Sequence, residues 1–266
     1  MITEKETAML VRFVHSYEQP DGGFSFSQMA PPTLEESYFA LRLLEELQSV
    51  FISEKTKSYI ARLHHMEFHH PKHLYQLAMI YRIAQRPQLT AIVCDRIMLN
   101  HDIIISTLTD LYYLIGTKKL CSIPIALTKN ERILLSSAEL KPGKSIEECK
   151  QVIVLMKIFQ DYFEPQHYIQ LIQSAQNPDG GFGIIPHSTS FLEHTYHALR
   201  GLYALHALPL DLDLCESFLR LCITRTGGFG RQITTIPSIE YSYYAVLGLK
   251  IIDGMKEEGY RKKTNL

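Results

Sequence analysis

The sequence predicts an all-α fold, a ring of about six helical hairpins, and three observations carry that prediction. Apolar residues recur at helical spacing over most of the chain, while alternation of the strand type is almost absent. A short unit appears three times: Asp21-Gly22-Gly23-Phe24, Asp179-Gly180-Gly181-Phe182 and Gly227-Gly228-Phe229. Each unit leads into a similar run, Leu34-Glu35-Glu36-Ser37-Tyr38-Phe39-Ala40-Leu41, Leu192-Glu193-His194-Thr195-Tyr196-His197-Ala198-Leu199 or Ile239-Glu240-Tyr241-Ser242-Tyr243-Tyr244-Ala245-Val246. The interval from first glycine to tyrosine is the same in all three, which marks a structural repeat.

Each unit reads as the loop of a hairpin. Glycine past a helix end supplies a left-handed backbone that a residue with a Cβ adopts only at a cost. The phenylalanine then plugs the apolar seam, and Thr33 with Glu36 and Ser190 with Glu193 have the spacing of capping boxes. One hairpin cannot bury its own apolar stripe, so copies must stack, and a continuous ring of them closes the core.

In chain order, a first helix is expected over 3–17, followed by the repeat loop and a helix over 34–48. From 53 to 162 the Gly-Gly-Phe signature disappears but the apolar period continues, giving helices near 53–66, 72–85, 88–99, 103–116, 129–138 and 145–162. Pro71, Pro87, Pro124 and Pro142-Gly143 punctuate them, and Ile103-Ile104-Ile105 is assigned to helix. Helices over 165–177, 191–206, 211–223 and 238–254 complete the count. One domain is expected over 1–255, with a polar, frayed tail over 256–266.

Composition narrows the function. A formal net charge of −1 gives no electrostatic footprint for nucleic acid. No apolar run approaches the roughly 18 residues of a membrane span, and residues 1–20 read as lacking a signal peptide. Five cysteines, an odd number and mostly far apart in sequence, suit a reducing cytoplasm rather than a disulfide framework.

The repeat resembles that of the prenyltransferase and squalene-cyclase superfamily, α/α toroids with Gly-Gly-Phe loops before their inner helices. The clear copies cover 18–48 and 165–254. The resemblance implies an all-α toroid with an apolar central cavity. It implies an isoprenoid-handling, prenyltransferase-like or terpene-cyclase-like enzyme, whose partner is an isoprenoid or other apolar small molecule. The alternative is a non-catalytic toroid that binds a lipid or a partner protein.

Laid onto the zinc site of the resembling prenyltransferases, the aspartate falls on Glu193, the cysteine on Thr195 and the histidine on Tyr241. Threonine and tyrosine are poor zinc ligands beside cysteine and histidine, so no zinc and no other cofactor is expected, with magnesium left open. The basic residues that hold diphosphate there fall on His187 and Ser190, and Tyr196 alone matches. Against the acid run of the resembling cyclases, Phe191 to Thr195 keeps one acid and Thr33 to Ser37 keeps two. The absence of tryptophan departs from the squalene-cyclase pattern.

The candidate catalytic residues are therefore Glu193, His194, Glu35 and Glu36, at inner-helix N-termini where acids and phosphates are stabilised. The bland reading of the recurrent glutamate is a cap that bonds loop amides. Candidate substrate-binding residues are Tyr38, Tyr196, His197, Tyr241, Tyr243 and Tyr244, since aromatic faces stabilise cations; at helical spacing such residues also serve as plain core. His194 and His197, with His187 and His206 nearby, read as polar residues at a mouth or as a proton-shuttle or metal constellation. His65 and His69 have helical metal-pair spacing, but Pro71 interrupts and the run reads as a solvated junction. Asp213 and Cys215 spell a zinc pair locally but open an outer helix, and Cys215 with Cys222 reads as one buried face.

Overall fold

The computed structural model describes residues 2–99, 103–141 and 143–264, so the Pro142 of the expected breaker pair lies outside the described residues. Among these there are twelve α-helices: α1 (Glu4–His15), α2 (Leu34–Glu46), α3 (Glu54–Arg62), α4 (Pro71–Ile83), α5 (Pro87–Leu99), α6 (Leu108–Leu120), α7 (Lys129–Leu140), α8 (Ile146–Phe159), α9 (Pro165–Gln173), α10 (Leu192–Ala204), α11 (Leu212–Leu221) and α12 (Ile239–Thr264). The strands are limited to a two-residue pair, β1 (Phe229–Gly230) and β2 (Pro237–Ser238), within the third Gly-Gly-Phe loop. The chain forms two compact units, one of Val11–Ala138 and one of Met1–Leu10 with Glu139–Leu266.

In the first unit α2 packs on α4 and α4 on α6; in the second α8 packs on α10 and α10 on α12. These even-numbered helices carry most of the core, with Leu41, Leu43, Ile80, Leu111, Ile153, Leu199 and Val246 all fully or almost fully buried. Burial of such aliphatic side chains contributes about 1.5–3 kcal/mol each. The odd-numbered helices are more amphipathic in burial: α3 buries Thr56, Tyr59 and Ile60, and α11 buries Cys215, Phe218 and Leu219.

All three Gly-Gly-Phe loops close with the same bonds. The N–H groups of Gln19, Asn177 and Thr224 donate to the carbonyls of Gly23, Gly181 and Gly228 at 2.9, 2.9 and 2.8 Å. The first glycine of each copy is left-handed, with φ of 84° at Gly22, 86° at Gly180 and 100° at Gly227. At Gly22 a Cβ would lie 2.0 Å from the carbonyl oxygen of Lys55 on α3, and at Gly180 one would lie 2.2 Å from that of Leu214 on α11. Only glycine satisfies both the dihedral and the close approach. The phenylalanines are buried as expected, Phe24, Phe182 and Phe229 being at most 3% exposed.

The middle of the chain lacks this loop but shares another device. Residues Gln48, Gln85, Ser122, Gln160 and His206 are all left-handed, with φ of 53–55°. Each follows an even-numbered helix, and the next N–H reaches back to the helix, as in Ser49 to Leu44 (2.9 Å), Arg86 to Tyr81 (2.8 Å) and Ile123 to Lys118 (2.9 Å). This is the Schellman closure, made here without glycine.

Three expectations are corrected. The helix expected over 103–116 is Leu108–Leu120, and Ile103 to Ile105 are non-helical. The helix starts at a capping box in which Thr107 Oγ1 accepts from Asp110 N–H and the Asp110 carboxylate accepts from Thr107 N–H. Ser190 is not a cap; its hydroxyl donates to Asp179 Oδ1 (2.8 Å) and accepts from Asn177 Nδ2 (2.8 Å), which holds the loop instead. The final helix runs past 255 to Thr264, where a frayed tail was expected.

Candidate functional site

The first turns of α8 and α10 in the second unit, with Arg231 from the third Gly-Gly-Phe loop, gather a group of polar side chains. Local backbone chemistry explains why Glu193 and His194 are not used as caps. The Phe191 N–H donates to the Phe182 carbonyl (3.1 Å), and the Leu192 N–H donates to the Arg231 carbonyl (3.0 Å). Phe182 N–H in turn donates to Thr195 Oγ1 (2.9 Å), whose own hydroxyl donates to the Phe191 carbonyl (2.9 Å). The loops therefore satisfy the helix start from outside, and Glu193 has no loop amide to bond.

This corrects the capping reading of the recurrent glutamate. Glu193 Oε1 accepts from Arg231 Nε at 2.6 Å, and the same guanidinium lies 3.8 Å over the Phe191 ring. Glu35, in the other unit, pairs with Lys72 Nζ at 2.5 Å. In these two copies the glutamate of the repeat reaches a basic partner outside its own hairpin. Arg231 is held charged by its hydrogen bond to Glu193, which outweighs partial burial.

Around this pair lie Lys150, His194 and His197, at 4%, 9% and 7% exposure. Glu147 Oε1 stands 3.9 Å from both Lys150 Nζ and His197 Nε2 and accepts from Gln151 Nε2 at 3.2 Å. Burial pushes His197 well below the ordinary histidine range, and the charges of Lys150 and His194 push the same way. His194 is lowered too, by burial first, with Glu193 opposing and Arg231 assisting. Both imidazoles are thus neutral near pH 7. Three buried atoms here lack hydrogen-bond partners: Glu193 Oε2, His194 Nδ1 and His197 Nδ1. Leaving a buried polar group unsatisfied costs about 1–3 kcal/mol, so a cluster of three asks for a reason.

The aromatic candidates line one side. Tyr196 stacks on Tyr244 with centroids 5.0 Å apart and planes 22° apart, and His197 meets the edge of Tyr244 at 5.6 Å. Tyr243 is 6% exposed and packs on Tyr244 at 5.6 Å, so it reads as core supporting the stack. Tyr241 is half-buried, its backbone N–H donating to Ser238 Oγ at 3.1 Å.

The first-copy candidates sit in the other unit. There Glu36 is raised above the ordinary carboxyl range by burial and then by the charge of Glu35, and its Oε2 is buried without a partner. Tyr38 meets Tyr75 at 6.2 Å, and Tyr75 meets Tyr113 at 5.4 Å, forming an aromatic row between α2, α4 and α6. His187 and His206 are exposed, and His65 and His69 belong to an exposed stretch before α4. Asp213 donates nothing to Cys215 chemistry; it pairs with Lys256 Nζ at 3.1 Å while Cys215 is buried.

Sequence reasoning missed Lys150, Glu147 and Arg231. Arg231 was legible, being the basic residue immediately after the third Gly-Gly-Phe-Gly. Lys150 carried no motif. Its signal was a charged residue inside the otherwise apolar stripe of α8.

Thr195 is fully buried, its hydroxyl accepting from Phe182 N–H and donating to the Phe191 carbonyl, and among the described residues no group of three or more histidine, cysteine or acidic side chains is arranged to hold a metal ion. Nor is any helix among them long and apolar enough to cross a membrane.

Comparison with known proteins gives one match to a family and none to a curated protein. The family is the Prenyltransferase alpha-alpha toroid domain, matched over residues 1–108 and 149–258. Among solved structures, the chain is similar to "Candida albicans protein geranylgeranyltransferase-I complexed with GGPP", at 16% identity and a TM-score of 0.39, over 96% of this chain and 80% of that one.

Proposed function

The chain belongs to the prenyltransferase α/α-toroid family, and we propose from that premise that it handles an isoprenoid or similar apolar chain, whose polar end is taken by the Lys150, His194, His197 and Arg231 cluster. The observation that carries this reading is the trio of buried atoms without partners, Glu193 Oε2, His194 Nδ1 and His197 Nδ1, beside two cationic side chains. A ligand headgroup with both charge and hydrogen-bonding capacity supplies what these atoms lack. Lys150 and Arg231 provide positive charge, the neutral imidazoles provide donors or acceptors according to tautomer, and the Tyr196–Tyr244 stack offers an aromatic wall to the chain.

The proposed site works without zinc, because threonine and tyrosine stand where that chemistry needs thiolate and imidazole. It also works without Glu193 as a free acid, since one carboxylate oxygen is engaged by Arg231. That ion pair favours a second reading, a non-catalytic holder of a lipid or a prenylated partner, over proton-initiated cyclisation. The two readings share the ligand and differ in turnover.

Binding of a farnesyl diphosphate probe, measured by calorimetry with a chelator present, tests the shared claim. His197→Ala and Lys150→Met are each expected to weaken binding about tenfold or more, near 1.4 kcal/mol. Affinity that vanishes with the chelator, or that neither substitution changes, overturns the proposal.

A further inference from the structure

Five cysteines scattered along the sequence suggest no pairing, yet the fold brings two of them together. Cys94 on α5 and Cys121 at the C-terminal cap of α6 line one cavity of about 400 Å³, and their thiols are hydrogen-bonded to one another. The cavity is walled by Ala78 and Tyr81 of α4 and opens past Arg82 and Arg86. Both cysteines are part-exposed, whereas Cys149, Cys215 and Cys222 are at most 1% exposed.

We propose that Cys94 and Cys121 form an oxidisable dithiol that exchanges with a small peptide disulfide of the glutathione type and closes to an intramolecular bond between α5 and the end of α6. The chemistry balances without any other reactant. A protein thiolate attacks one sulfur of the small disulfide, its S–S bond breaks, and one small thiol leaves with the proton. The second protein sulfur then attacks the mixed disulfide and expels the second small thiol. The protein loses two electrons and two protons, and the small disulfide is reduced to two thiols.

Three features of the site suit this exchange. Neighbouring thiols can reach bonding distance by side-chain rotation, which distant cysteines cannot do without moving the backbone. The cavity admits a small peptide, and Arg82 and Arg86 at its rim match the carboxylates such a peptide carries. Arg82 already pairs with Glu45 at 2.9 Å, so Arg86 is the stronger anchor. Burial, then the hydrogen bond and charge of Cys94, push the Cys121 thiol up to about 12. Either cysteine makes the first attack as its thiolate, and the other sulfur resolves the mixed disulfide.

The test uses the full chain, reduced, desalted and incubated under native conditions with oxidised glutathione, then read by intact mass and by peptide mapping without reductant. The expected product lacks two hydrogens and yields a peptide joining Cys94 to Cys121. Cys121→Ser and Cys94→Ala are each expected to stop at one glutathione on the remaining cysteine of the pair. Circular dichroism checks that both variants stay folded, and the wild-type map alone is decisive if either does not. Stable glutathione adducts on both residues of the wild type, or no modification of either, would overturn the proposal.

Discussion

The Gly-Gly-Phe hairpins and the plain hairpins of the middle region build the same kind of helix by different means. In the plain hairpins, the third side chains of α6 and α8 are consumed by capping boxes. Asp110 accepts from Ser106 and Thr107, and Glu148 accepts from Ser145 N–H at 2.8 Å. In the Gly-Gly-Phe hairpins that work passes to the loop. The Phe24 and Phe182 carbonyls accept from Thr33 and Phe191 N–H, and Ser37, Thr195 and Ser242 each take the phenylalanine N–H at 2.9–3.0 Å. Glu36, Glu193 and His194 thereby have no capping role, and each keeps one buried atom without a hydrogen-bond partner. The loop that makes the repeat recognisable also frees the side chains available for a ligand.

The comparison breaks first at the glycines. Gly180→Val sets a branched side chain at φ 86° against the Leu214 carbonyl, and a loss of about 3 kcal/mol or more is expected in chemical denaturation. Gly143→Ala is the control from the plain region: it is also left-handed, at φ 64°, but nothing lies within 4 Å, so about 1 kcal/mol is expected. Equal losses at the two sites would mean that the loop is not clamped to α11.

The hydroxyl in the helix comes next. Thr195→Val keeps the shape but strands the buried Phe182 N–H, for about 1–3 kcal/mol. Thr107→Ala in the plain region removes one cap, for about 1 kcal/mol. A larger loss at Thr107 would reverse the proposed division of labour.

His197 sharpens the comparison through pH. Its folded-state pKa lies well below its ordinary 6.5, so the unfolded chain binds the proton first. Stability is intact above that value and falls as pH drops below 6.5 toward the folded pKa. Lys150 and His194 reinforce the penalty. His197→Phe is expected to flatten the dependence of the thermal midpoint on pH in that window, and an unchanged slope would place the titration elsewhere.

The smallest effect is expected at the shared Schellman caps. Gln160 adopts φ 54°, and Gln160→Gly should gain about 0.5–1 kcal/mol by relieving the left-handed cost. Destabilisation would show that the glutamine side chain carries an unrecognised contact.

Much of this architecture is legible in the residues themselves. The three loops announce the repeat because glycine is irreplaceable at Gly22 and Gly180, and helical periodicity places the other hairpins to within a few residues. The start of α6 was misplaced because the β-branched run Ile103 to Ile105 continued the apolar count, while the capping box at Thr107 and Asp110 carried the true boundary. The middle repeats were invisible as repeats because their common feature is a left-handed dihedral at Gln48, Gln85, Ser122 and Gln160, which any polar residue can adopt at modest cost. At the candidate site, Glu193, His194, Tyr196 and His197 were found through the motif. Lys150, Glu147 and the Cys94–Cys121 contact were not, since they arise from packing between helices.

Native mass spectrometry of the gently purified chain, with lipid extraction in parallel, bears most directly on the claim that the cluster of Lys150, His194, His197 and Arg231 holds a ligand. The account predicts an apolar chain with an anionic or strongly polar end bound to the wild type, and its loss from a folded Lys150→Met, His197→Ala double variant. Retention of the same ligand by the folded double variant, or a chain that is empty and takes up no prenyl diphosphate when one is offered, would contradict it.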